Sequence, residues 1–92
     1  MPGKRLYVRC KVARGLFESE FYVSVQRSSA FVDRSQVQVA VPPDQGNEVD
    51  GLVVAYFVGE DQRAGQTLVE LPGQPAVGGL RTWVPAGLLA NA

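Results

Sequence analysis

Phe31-Val32-Asp33-Arg34-Ser35-Gln36-Val37 is answered near the C-terminus by Trp83-Val84-Pro85-Ala86-Gly87-Leu88-Leu89. Each phrase puts an aromatic and a valine at the end of an apparent strand, crosses four residues and closes on an aliphatic side chain. A short turn between two buried anchors is how a compact β-barrel folds one strand over the next, so the pair predicts architecture rather than chemistry.

Outward from these phrases, the dominant period is two. Leu6, Val8, Cys10 and Val12 alternate with Tyr7, Arg9 and Lys11, giving a half-buried strand with one apolar and one largely basic face. Ala13-Arg14-Gly15 reads as a turn. Phe17, Phe21, Val23 and Val25 then form the apolar face of a second strand, interrupted at Ser19 by a bulge or by a start at Glu20. Gln26-Arg27-Ser28-Ser29 is the next turn, leading to a short strand from Ala30 to Val32. Val37, Val39 and Val41 alternate with Gln36, Gln38 and Ala40 until Pro42-Pro43, where proline removes the amide that a ladder needs. Pro42 to Gly51 is rich in turn formers and acids and is expected to be a flexible loop.

Leu52-Val53-Val54-Ala55-Tyr56-Phe57-Val58 is continuous and apolar, as expected for a strand buried on both faces. Gly59 to Gly65 is the following loop and Gln66 to Leu71 the returning strand. Pro72-Gly73 and the stretch from Gln74 to Gly79 read as turns. Leu80 to Val84 is the last full strand, and Ala86-Gly87-Leu88-Leu89 suits a 3₁₀ turn that folds Leu88 or Leu89 inward. Val12, Val25 and Phe31-Val32 have apparent counterparts in Val58, Leu71 and Trp83-Val84, so the chain reads either as an internal duplication or as two strand endings solved by the same device.

The 92 residues make one core and one domain, 1–92. The apolar fraction of 46% and charged fraction of 20% are ordinary for a globular chain and exclude a low-complexity tail. No apolar run approaches the roughly 20 residues of a bilayer-spanning helix, and the basic start Met1–Arg5 is not followed by a signal-peptide core. A lone Cys10 makes no intrachain disulfide and fits a reducing cytoplasm. Arginine outnumbers lysine seven to two, which points to a GC-rich bacterial source and to nothing functional.

Net charge is zero but unevenly spread: residues 1–34 carry +4 and residues 35–92 carry −4. Two halves side by side would offset each other's fields, whereas a segregated basic face would suit nucleic acid or an acidic partner.

The second phrase, Trp83 to Leu89, resembles the ending of SH3 domains, where an aromatic, an aliphatic and a proline close a strand and a 3₁₀ turn leads to the last short strand. The resemblance implies an SH3-like barrel. In that family the proline and a tyrosine of this segment line a groove for proline-rich ligands; Pro85 matches the proline, but Leu88 stands where the tyrosine would be and Gly87 where an asparagine is usual. The Ala-Leu-Tyr-Asp segment that marks the family near its start is absent, so recognition of polyproline helices does not carry over.

Chemistry is limited by inventory. With no histidine, the commonest proton-transfer group and all His-based triads and metal motifs are missing. Cys10 sits on an apolar face and cannot build a zinc site alone. Glu18 and Glu20, about 6.5–7 Å apart along a strand, read as a solvated face that pairs with Arg9 or Lys11. No Gly-Lys-Ser/Thr follows Gly78-Gly79, so there is no phosphate loop. No catalytic residue, metal or cofactor is therefore expected.

The expectation is an all-β chain: a small SH3-like barrel or strongly curled antiparallel meander of about five to seven short strands with one or two 3₁₀ turns. Its expected role is non-enzymatic: a cytoplasmic interaction module for another protein or for itself, the edge Val37–Val41 being the route to a homo-oligomer. The alternative is weak single-stranded nucleic-acid binding by the basic and aromatic face of the N-terminal hairpin. The candidate binding surface comprises Tyr7, Arg9, Lys11, Tyr22, Trp83 and Pro85, with no membrane contact.

Overall fold

The computed structural model describes residues 4–90; residues 1–3, which include part of the basic start, and residues 91–92 lie outside the described residues. The chain runs as β1 (Arg5–Arg14), β2 (Glu20–Val25), β3 (Ser28–Asp33), a first 3₁₀ turn (Arg34–Gln36), β4 (Val37–Val39), β5 (Val49–Asp61), β6 (Gln66–Glu70), β7 (Gln74–Val77), β8 (Arg81–Pro85), a second 3₁₀ turn (Ala86–Leu88) and β9 (Leu89–Ala90). All pairings are antiparallel, in the order β7-β3-β2-β1-β5-β6-β8, with β4 added to β5 and β9 to β1. The sheet curls into a half-barrel.

Alternation decides which side of the curled sheet is the inside. Val8, Cys10 and Val12 on β1, Phe21, Val23 and Val25 on β2, and Val69 on β6 all turn to one side, and their burial marks that side as the inside. Each fully buried valine contributes about 1.5–3 kcal/mol relative to leaving it exposed. In the middle of β5, Val53, Val54 and Ala55 are all buried, as its unbroken apolar run requires. Val58 is 37% exposed instead, because the ladder with β6 shifts register between Phe57 and Gly59 and carries Val58 out of the alternation.

The two related phrases both become strand, 3₁₀ turn, short strand. Their similarity extends to the pairing. Val37 at the end of the first phrase is in register with Val53 on β5, and Leu89 at the end of the second is in register with Val8 on β1. Val8 and Val53 are themselves partners. Phe21 pairs with Val32 as Thr67 pairs with Val84, and Tyr22 with Phe31 as Leu68 with Trp83. Strands β1, β2, β3 and β4 thus correspond to β5, β6, β8 and β9 about an approximate two-fold axis through the Val8–Val53 pair. Val12 corresponds to Phe57 rather than to Val58, since Val12 is in register with Val49 and Phe57 N–H donates to Lys4 O on the mirror side of the same ladder.

The correspondence fails in one place. Val25 and Ser28 are joined by the two-residue turn Gln26-Arg27, with Gln26 at φ 53, whereas their counterparts Leu71 and Leu80 are joined by a long excursion containing β7. That excursion crosses the half-barrel and pairs with the outer edge of β3. Gly73 permits the approach, because a Cβ there would overlap the carbonyl oxygen of Phe31.

Several sequence expectations shift. The first turn lies at Gly15–Ser19, so Phe17 is 69% exposed rather than part of the apolar face, and β2 begins at Glu20. Val41 lies beyond β4 and is exposed. The stretch Gln74 to Gly79 contains a strand. The acid- and proline-rich loop ends at Glu48, three residues earlier than its composition predicts, because Gly51 belongs to β5. That glycine marks close packing: a Cβ would stand 2.8 Å from Val12 Cγ2 and from Val39 Cγ1.

Candidate interaction surface

β8 is the strand on which surface chemistry and an open backbone edge coincide. Its alternation buries Thr82 and Val84 against the core and leaves Arg81 and Trp83 outside, Trp83 being 46% exposed. One edge of β8 is paired with β6. The phase of that ladder is set by Leu71 N–H donating to Leu80 O at 2.8 Å and Ala86 N–H donating to Gly65 O at 3.3 Å. In an antiparallel pair, hydrogen-bonded residues alternate, so Thr82 and Val84 point their backbone at β6 while Arg81, Trp83 and Pro85 point theirs away. No strand among the described residues pairs with that outer edge. Pro85 has no amide, which confines the open donors to Arg81 and Trp83.

The equivalent residues in the first half are Ser29 and Phe31, and their backbone is taken up by β7, with Ser29 in register with Val77 and Phe31 with Gln74. The same two positions that receive a strand on β3 stand open on β8. They open onto a cleft of about 450 Å³ walled by the β2–β3 turn (Gln26, Arg27) and Ser28 at the start of β3 on one side and by Arg81, Trp83 and Pro85 on the other. Ser28 Oγ donates to Gly78 O at 3.3 Å and ties the end of this cleft together. Arg81 Nε donates to Glu70 Oε1 at 2.9 Å, but both side chains are largely exposed, so the pair holds little energy.

The remaining residues of the expected surface are elsewhere. Arg9 and Lys11 lie on β1, which is separated from β8 by β5 and β6. They border a different cleft with Ser24, Asp50 and Leu88. Lys11 Nζ donates to Asp50 Oδ1, and this hydrogen bond, reinforced by the charge of Asp50, raises the lysine above its ordinary value. The +4 and −4 halves therefore meet along the β1–β5 ladder, and neither Glu18 nor Glu20 is the partner of Lys11. Glu20 instead accepts a bond from Leu16 N–H at 3.0 Å and closes the first turn. Tyr7 is half-buried opposite Val54. Tyr22 is half-buried, its hydroxyl donating to Ser29 Oγ at 2.7 Å and its ring 5.1 Å from that of Phe31. Of the six expected residues, only Trp83 and Pro85 share the cleft at the open edge.

Arg27, Ser28 and Arg81 were not among the expected residues. Arg27 and Ser28 read from sequence as an ordinary turn, and only the long β6–β8 excursion, which brings Gly78 to that turn, places them near Trp83.

Cys10 is buried, and burial, with a smaller contribution from the Asp50 carboxylate, pushes its thiol up to about 12. Such a thiol is a core side chain and not a nucleophile at neutral pH. Among the described residues no group of three or more Cys, Asp or Glu could hold a metal ion, and no helix is long and apolar enough to cross a membrane. Neither family models, nor curated proteins, nor solved structures yield a match to this chain.

Proposed function

We propose that this domain is a non-catalytic interaction module, and that it engages another protein through the open edge of β8 and the Trp83 side chain. The observation that carries the reading is the unmatched pair of edges: β7 covers β3, while among the described residues no strand covers the corresponding edge of β8. An exposed tryptophan beside unpaired backbone groups offers area and directionality together. The inventory supports the absence of catalysis in this role, since no histidine is present and the one thiol is held protonated. An SH3-like assignment of the barrel, and a cytoplasmic setting, belong to the same proposal. The support for the first is the 3₁₀ turn Ala86–Leu88 leading from Pro85 into the short β9.

The test places a photo-crosslinking amino acid at Gln66, which lines the cleft beside Trp83, in the source cell and identifies the adduct. The expected result is a discrete covalent partner whose purified form binds the domain at least about tenfold more weakly after Trp83→Ala. An adduct of the chain with itself would make the interaction self-association. No adduct, or a purified partner indifferent to Trp83→Ala, contradicts the reading.

A further inference from the structure

We propose that the ligand of the β8 edge is a short, extended, acidic segment of a partner protein, added to the sheet as one more strand. This rests on the interaction-module reading and specifies its partner. The chain itself already fills the equivalent edge with an extended segment. β7 is four residues long, is exposed at every residue, and docks on the Ser29 and Phe31 positions of β3. Arg81 and Trp83 occupy the corresponding positions on β8 and present one N–H and one C=O each toward the cleft. A strand entering there exchanges up to four backbone hydrogen bonds with these two residues. Pro85 ends the ladder on one side and the bend at Gly78 and Gly79, both at φ 74, ends it on the other. A segment of about four or five residues fills the space between those stops, at roughly 3.3 Å per residue.

The wall of the cleft favours an acidic occupant. Arg27 and Arg81 line it together with Gln26, Ser28, Gln66, Thr82 and Trp83, and no carboxylate lines it. Arg27 lines the cleft from the turn opposite β8, and Arg81 is already paired with Glu70, so a peptide lying along β8 runs between Arg27 and the ring of Trp83. A carboxylate on that peptide, on the face toward the turn, gains a charge-assisted pair with Arg27. A basic peptide meets repulsion in the same place. The wall formed by the turn also favours a single inserted strand over the docking of a whole second domain edge to edge.

The experiment uses the full chain and a display library of random eight-residue peptides. Trp83 is the sole tryptophan, so its fluorescence reports occupancy of the cleft directly. Expected are enriched peptides carrying Asp or Glu among β-branched residues, with a Kd on the order of 10 µM. Their binding should change Trp83 emission and weaken at least about tenfold with Arg27→Glu, a surface substitution that leaves the fold intact by melting temperature. Enriched peptides that are neutral or basic, or acidic peptides indifferent to Arg27→Glu, overturn the acidic assignment while leaving the open edge as a docking site. A concentration-dependent dimer of the free chain that is abolished by Trp83→Ala assigns the edge to a second copy and also overturns the proposal. No enrichment, with a monomer at all concentrations, removes both this inference and the reading on which it rests.

Discussion

Val8 and Val53 face one another in the β1–β5 ladder, each fully buried, and each is in register on its other side with the aliphatic that closes one of the two related phrases: Leu89 beside Val8 and Val37 beside Val53. Four side chains from four distant parts of the sequence thus form one row across β9, β1, β5 and β4, with partly buried Leu89 and Val37 at its ends. The outer strands β4 and β9 are crossed over, each pairing with the long strand of the other half.

Because the two valines occupy equivalent places, Val8→Ala and Val53→Ala should destabilise the domain by similar amounts, about 2 kcal/mol each. Urea denaturation of the two variants checks this. A large inequality would show that the two halves are not energetically equivalent about their axis.

Gly51→Ala forces a Cβ between Val12 and Val39 and should cost about 1–3 kcal/mol. Gly59→Ala places a Cβ in open space at a residue without a positive φ, so it should be neutral or slightly stabilising. Thermal melts of the pair separate close packing from a general intolerance of side chains on β5.

How far these features were legible in sequence differs from residue to residue. The period of two placed Val8, Val12, Val23 and Val25 inside, the unbroken apolar run did the same for Val53, and the two phrases gave strand endings in the right places, because these patterns depend only on neighbouring residues. Gly51 was misread, since its meaning comes from Val12 and Val39, residues distant in sequence. β7 was read as a turn because Pro75 and two glycines dominate its composition, and its strand state is created by β3. The candidate surface divided for the same reason: the SH3-like ending singled out Trp83 and Pro85, outward placement singled out Tyr7, Arg9, Lys11 and Tyr22, and Arg27 became visible only once the β6–β8 excursion had brought its turn to the cleft of Trp83.

Cys10 should resist aromatic disulfide reagents at neutral pH in the native state and react at once in denaturant, since its thiol is pushed up to about 12. Rapid labelling without denaturant would indicate that β1 opens locally or that the thiol is not core.

Asp33 caps the first 3₁₀ turn, accepting from the Ser35 hydroxyl at 2.6 Å and from Ser35 N–H at 2.9 Å, and these bonds hold its carboxyl below the usual carboxylate value. A depressed folded-state pKa gives stability that is present above the unfolded value of about 3.9 and is lost as the pH falls through the folded value. Asp33→Ala should therefore be less stable than the parent at neutral pH and approach it in acid. Melting temperatures across the acid range test this, and a constant difference at every pH would contradict it. The second 3₁₀ turn has Pro85 at the equivalent place and no side-chain cap, so no matching dependence is expected there.

The central claim is that β8 has an open edge at Arg81 and Trp83, and residue-resolved amide hydrogen exchange of the free protein tests it most directly. The account predicts protected amides at Thr82 and Val84, which face β6, alternating with fast exchange at Arg81 and Trp83, and slowing of those two when a strand is bound. Arg81 and Trp83 amides as protected in the free monomer as those of Thr82 and Val84 would show that the edge is already paired, and would contradict the account.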